Sequence, residues 1–154
     1  MKILETGSET EKKVIIGLAG PDDFKILTKK RFSFVWKTVK KTTTVYKLQI
    51  EGSEDILGVM GLIDWPGEKR IEIRLLASSA ENIGRSKIYK GIAGCLIAFA
   101  CRLAVIRYGV EACVSLVPKT ELIGHYMRKY YMQYAGRHLY LDGNNLIKIM
   151  EEYL

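Results

Sequence analysis

The sequence predicts an α/β (α+β) fold: a mixed, mostly antiparallel sheet with a central βαβ crossover and helices on both faces. Three observations carry this. The first half alternates apolar and polar residues in short runs bounded by turn residues, as half-buried strands do. The second half opens with a long helical period from Ile88 to Ile106. A short β-prone run, Ala112 to Val117, then returns the chain to the sheet. Hairpin-connected strands followed by one crossover unit give a mixed sheet. The first half lacks the crossover helices that a purely parallel, doubly wound sheet requires.

Taken in order, Pro21-Asp22-Asp23 reads as a helix start, with Phe24, Ile26 and Leu27 as a short apolar face. Phe32, Phe34 and Trp36 alternate with Ser33, Val35 and Lys37, which predicts a strand. Val45 to Ile50 is a second strand, closed by the turn residues Glu51-Gly52-Ser53. Ile56 to Ile63 is a third, ended by Asp64-Trp65-Pro66-Gly67. In the next, Ile71, Ile73 and Leu75 share one face, opposite Glu72, Arg74 and Leu76. Ile88, Ile92, Leu96, Phe99, Leu103 and Ile106 then recur at helical spacing. Ala93, Ile97, Ala100 and Ala104 widen that stripe until the helix is apolar nearly all round, which predicts burial. Gly109 closes it as a C-cap. Ala112 to Val117 is a central strand, Glu121 to Tyr131 a helix and Arg137 to Leu141 a strand. Asn144 caps a last helix to Tyr153.

The 154 residues fit one domain, 1–154, large enough to bury a core without covalent staples. Cys95, Cys101 and Cys113 are odd in number, lie among apolar residues and lack C-x-x-C spacing, so they read as small buried hydrophobes in a reducing compartment. The polar N-terminus, with Glu5, Glu9 and Glu11, does not resemble a secretory signal, and a cytoplasmic location is expected. The charge-free run Gly91 to Cys101 is shorter than the roughly 20 residues of a membrane span, so no membrane association is expected. Residues 11–50 hold ten Lys or Arg against Glu11, Asp22 and Asp23, so the whole net charge of +7 sits in that segment. Such clustering attracts nucleic acid, anionic lipid or polyphosphate; it is also how solvated surfaces and guarded edge strands look.

The stretch from Arg70 to Gly109 carries the strongest functional signal. A strand runs through a polar loop into a helix entered by Lys90-Gly91-Ile92-Ala93-Gly94. Small residues at a helix N-terminus let a phosphate approach backbone amides, and the helix adds about half a positive charge there. The Gly-Lys-Ser/Thr end of a Walker A loop is absent, and so is the G-x-G-x-x-G dinucleotide fingerprint. Two histidines without a carboxylate cluster give no metal site.

Ile88-Tyr89-Lys90-Gly91-Ile92-Ala93 resembles the Arg/Gln-x-x-Gly-x-Gly/Ala signature of the GNAT superfamily of acyl-CoA N-acyltransferases. Gly91 and Ala93 match; Ile88 stands where Arg or Gln is usual, with Lys87 and Lys90 beside it. The loop from Ser78 to Gly91 is about five residues longer than the usual form, and Lys119 falls near a customary Asn. The run His125-Tyr126-Met127-Arg128-Lys129-Tyr130 before Arg137 to Leu141 is similar to the family's Tyr-bearing helix and final strand. The likeness covers roughly Ile56 to Leu141.

The resemblance implies acetyl-CoA or coenzyme A bound where the strand Ile71 to Ser78 splays from Ala112 to Val117. Backbone groups of Leu76, Ala77 and Ser78 would pair with pantetheine, and the amides of Lys90, Gly91, Ile92, Ala93 and Gly94 would hold pyrophosphate. Tyr126 stands at the family's general-acid position, or is a half-buried Tyr of an amphipathic helix. Glu72 stands where some members keep a base, or is a solvent-facing charge. His125, adjacent to Tyr126, points to another helix face and reads as a surface or packing residue; His138 reads as structural. The implied activity is acyl transfer, acetyl being the expected group, to a small-molecule or peptide amine. The alternative is a GNAT-like binding module without turnover, its basic N-terminal half contacting nucleic acid or an acidic partner. A homodimer is compatible with either.

Overall fold

The computed structural model describes residues 1–154. The N-terminal part comprises β1 (Lys2–Glu5), β2 (Glu11–Leu18) and three single-turn helices, α1 (Asp23–Ile26), α2 (Lys29–Phe32) and α3 (Trp36–Val39). The long strands β3 (Thr44–Ile50), β4 (Ile56–Trp65) and β5 (Arg70–Ser78) follow. A loop and the short β6 (Tyr89–Lys90) lead into α4 (Ile92–Tyr108). The C-terminal part comprises β7 (Cys113–Leu116), α5 (Ile123–Tyr130), β8 (Gln133–Ala135), β9 (His138–Asp142) and α6 (Gly143–Tyr153).

The nine strands form one sheet in the order β6-β1-β2-β3-β4-β5-β7-β9-β8. Every neighbouring pair is antiparallel except β5 and β7, which run parallel because α4 carries the chain across between them. The fold is thus the mixed sheet with one βαβ unit that the pattern predicts. Helices cover both faces. On one, α4 and α6 pack on Leu48, Met60, Leu62, Ile71, Ile73 and Val114. On the other, Phe24, Leu27, Phe32 and Trp36 of the α1–α3 segment cover Val45, Ile56, Val59 and Ala77. Ten of the 17 residues of α4 are buried, so its all-round apolar character is that of a core helix. Cys95 and Cys101 lie in that core; burial pushes the Cys95 thiol up to about 11, and Cys101 higher still, so both are inert at neutral pH.

Several local expectations are corrected. Residues 32–36 are not a strand. Thr28 Oγ1 caps α2 by accepting from the Arg31 amide at 3.3 Å, and the Trp36 indole donates to the Phe32 carbonyl at 3.0 Å. Phe32, the last residue of α2, and Trp36, the first of α3, are both fully buried in the core cluster on that face of the sheet. The link between them is a γ-turn: Phe34 N–H donates to Phe32 C=O at 2.8 Å across Ser33, whose φ is 71°. Helix α4 begins at Ile92, not Ile88, since Tyr89 and Lys90 pair instead with Glu5 and Leu4 of β1. The strands β1, β2, β6 and β8 have no counterpart in the sequence reading. The last helix is flanked by Asp142, with Asn144 already inside its first turn.

The face expected for Ile71, Ile73 and Leu75 also breaks. Pairing runs Gly61 to Leu75 and then Leu62 to Ile73, leaving Arg74 as an unpaired bulge residue. Beyond the bulge the alternation inverts. Leu76 joins Ile71 and Ile73 on the α4 side, while Leu75 and Ala77 turn to the α1–α3 side.

Candidate active site

The parallel ladder between β5 and β7 ends at Ile73 opposite Leu116. Past that point β5 continues to Ser78, hydrogen-bonded to β4 on one side only, with Ser78 opposite Gly58. A fork therefore opens at the Arg74 bulge, and one edge of residues 74–78 is left without a strand partner. A cleft of about 770 Å³ occupies it. Leu76, Ala77 and Ser78 form its β5 wall, Ala93 of α4 closes one end, and His125, Tyr126 and Tyr130 of α5 line another side. Ser33 and Phe34 of the γ-turn reach it from the opposite face of the sheet.

The N-terminus of α4 points into this region uncapped. Gly91 takes φ 99°, a left-handed conformation that glycine adopts without strain, and no side chain caps the helix. The first bond closing the helix is Cys95 N–H to Gly91 C=O, which leaves the amides of Ile92, Ala93 and Gly94 without intrahelical acceptors. The loop before it is fixed from two sides. Thr6 Oγ1 donates to the Lys87 and Ile88 carbonyls at 2.6 and 2.7 Å. Inside the loop, buried Asn82 donates to Ser79 Oγ at 2.9 Å and accepts from the Tyr89 amide at 2.8 Å. Arg31 braces the outside, donating to Asp55 at 3.0 Å and to Glu81 at 2.5 Å.

The cleft wall contains Arg74, Lys87, Lys119 and Lys129 and not one Asp or Glu. Burial, then the charges of Lys129 and Lys90, hold the Lys87 ammonium below its ordinary value. Burial, then Lys129, Lys87 and Arg128, likewise hold His125 below its ordinary value and favour the neutral imidazole. Cations converging without a counter-charge make an anion site. Burial raises the Tyr126 phenol, so its hydroxyl stays protonated at neutral pH. Tyr126, Tyr130 and His125 form an aromatic cluster, with ring centroids 5.6–5.8 Å apart.

The fold thus brings Leu76, Ala77, Ser78, Ala93 and Tyr126 to one cleft. Lys90 and Gly91 border an adjoining depression of about 560 Å³, shared with Lys129 and the two chain ends. Ile92 is buried in the core, and Gly94 lies beneath the Tyr153 ring. Glu72 stands apart from the cleft wall and is not the solvent-facing charge of the alternation. It is 7% exposed, accepts from the Trp65 indole at 3.1 Å, and faces Arg74 at 2.8 Å and Arg70 at 3.7 Å. His125 lines the cleft although its step from Tyr126 on the helix points it elsewhere; a cleft wide enough to wrap α5 receives both.

No protein-family model matches the chain, and no curated protein matches it. Solved structures do. A GNAT family acetyltransferase from Listeria monocytogenes 4b F2365 aligns with a TM-score of 0.58 at 15% identity, over 93% of this chain and 100% of that one. A GNAT family acetyltransferase from Elizabethkingia anophelis with acetyl-CoA bound aligns at 0.56 and 13% identity, over 84% and 98%. A Bacillus subtilis acetyltransferase in complex with CoA aligns at 0.52 and 16%, over 86% and 99%. The chain has the GNAT fold.

Proposed function

We propose that this chain, folded as a GNAT domain, is an acyl-CoA-dependent N-acyltransferase that moves an acetyl group from acetyl-CoA to an amine. The observation that carries the reading is the fork between β5 and β7. It presents an unpaired strand edge to a cationic cleft that ends at an uncapped helix N-terminus. An extended pantetheine arm fits such an edge as an added strand would. The free amides at the start of α4, with Lys87 and Lys129, suit the phosphates. Two of the similar structures carry acetyl-CoA or CoA, which supports the same ligand here.

Bound acetyl-CoA supplies a thioester carbonyl as electrophile and a thiolate as leaving group. The amine lone pair attacks the carbonyl carbon, the C–S bond breaks, the nitrogen sheds a proton and the sulfur gains one. A β5 amide among Leu76 to Ser78 stabilises the oxyanion as it develops. Tyr126 donates its hydroxyl proton to the departing sulfur. Glu72 is held by two guanidiniums and an indole N–H, which suits it to orienting Arg74. The neutral imidazole of His125 is the base that the cleft wall offers for the proton of the amine.

The test is ligand linkage. Acetyl-CoA at about 100 times its Kd should add about 2.7 kcal/mol of stability and raise Tm by roughly 5–10 °C. Gly91→Asp should abolish that shift, because it places a carboxylate and a strained backbone at the helix entrance. Melting that ignores saturating acetyl-CoA and CoA refutes the reading, and a full shift in Gly91→Asp refutes the site.

A further inference from the structure

The acyl-CoA reading, on which the choice of acceptor depends, accounts for the cations at only one end of the cleft. Lys87 and Lys129 lie with Ala93 near the α4 N-terminus, where phosphates would take them. Arg74 and Lys119 lie at the fork. Arg74 is the bulge residue immediately after the last β5–β7 pair, and Lys119 follows β7 three residues beyond Leu116. Four residues of extended strand, about 13 Å, separate Arg74 from Ser78. These two cations also share the cleft with Ser33 and Phe34, which come from the α1–α3 face rather than the α4 face.

This end has no anion to receive a positively charged acceptor. The nearest buried carboxylate, Glu72, spends Oε1 on the Trp65 indole and Arg70, and Oε2 on Arg74 Nε. That last contact leaves both Nη groups of Arg74 without a partner, so Glu72 orients a guanidinium fork toward the cleft. The surrounding surface reinforces the sign. Residues 29–41, which flank Ser33 and Phe34, include six Lys or Arg and no Asp or Glu. Lys29, Lys30, Lys37 and Lys41 among them are exposed and make no ion pair.

We infer that the acceptor is an amine carrying its own anionic group, a carboxylate or a phosphate, seated between Arg74 and Lys119, and that polycationic amines are rejected. The anionic group docks on the guanidinium fork and the lysine, which leaves the amino nitrogen to face the thioester held along β5. A polyamine or an aminoglycoside instead meets only like charge among the ionised side chains of the cleft.

The experiment combines turnover and binding. Thiol release from acetyl-CoA is followed with methionine, aspartate and O-phosphoethanolamine as anionic amines, and with spermidine and kanamycin as cationic ones. The same five compounds are titrated calorimetrically onto the free and the CoA-saturated protein. At least one anionic amine should bind the CoA-saturated protein and turn over at least about tenfold faster in kcat/KM than either polycation. Lys119→Glu should cut that binding by about tenfold or more, since it exchanges attraction for repulsion. Faster turnover of spermidine or kanamycin, binding of none of the three anionic amines, or unchanged binding in Lys119→Glu each overturns the inference. A protein that fails to take up CoA at all shows this in the melting assay before any amine is added. The acyl-CoA reading would then fail, and the titrations onto free protein still report the sign of the site.

Discussion

Replacing Gly94 with alanine should destabilise the protein, through the Tyr153 ring and not through any loss of phosphate binding. A Cβ on Gly94 would stand 2.2, 2.3 and 2.7 Å from Tyr153 Cε1, Cζ and Cδ1, far inside contact distance. The ring is partly buried, packs near Tyr130 at a centroid distance of 6.3 Å, and sits on the last residue of α6. It can therefore swing out, and the cost is its burial. About half of a roughly 200 Å² aromatic surface, at about 25 cal/mol per Å², is about 2.5 kcal/mol. Alanine in place of glycine inside a helix returns about 1 kcal/mol. The net loss is about 1.5 kcal/mol, or roughly 3–6 °C in Tm for a chain of this size. The assay is a double-mutant cycle in urea with Gly94→Ala, Tyr153→Ala and both. In the Tyr153→Ala background Gly94→Ala should stabilise, because only the helix term remains. If Gly94→Ala raises Tm in the parent, or acts equally in both backgrounds within about 0.5 kcal/mol, the packing argument is refuted.

Tyr126→Phe should lower kcat by at least about a hundredfold while acetyl-CoA still raises Tm as in the parent; an unchanged kcat removes the phenol as proton donor. His125 is held below its ordinary value in the fold, so below about pH 6.5 the unfolded chain binds more protons than the native one. Stability should then fall as pH drops from about 6.5 toward the lower folded value, and His125→Gln should flatten that part of the urea-derived profile. An identical slope in the variant contradicts the assignment. Trp36→Ala empties a fully buried site and removes one of the two donors to the Phe32 carbonyl, so it should cost about 3–5 kcal/mol in a urea titration. A loss under about 1 kcal/mol would mean that the α1–α3 cover is not part of the cooperative core.

Much of the fold was legible in the sequence because its signals are local. The stripe of α4 and the run Ala112 to Val117 each report their own burial, and together they dictate the crossover that makes β5 and β7 parallel. Glycines spoke where the backbone demanded them: Gly109 at φ 62° closes α4 as expected, and Gly91 at φ 99° sets its start, four residues later than the period from Ile88 implies. Local signals misled where a turn breaks the period. Phe32, Phe34 and Trp36 alternate as a strand would, but the Thr28 cap and the γ-turn at Ser33 split the run into two one-turn helices that bury Phe32 and Trp36. The short strands β1 and β6 have little pattern of their own, and their pairing joins residues more than 80 apart.

The site divides the same way. The sequence by itself placed a glycine-rich entry at the head of a buried helix and a tyrosine on the helix after β7, because spacing along one element is written in the chain. Only the tertiary structure decided what surrounds them. The bulge at Arg74 inverts the face of β5 and opens the fork. The last turn of α6 brings Tyr153 over Gly94. Lys87, Lys119, Lys129 and Arg74 converge from four separate segments on a cleft without a carboxylate. Charge and shape at a cleft are sums over residues distant in sequence, and no local period records them.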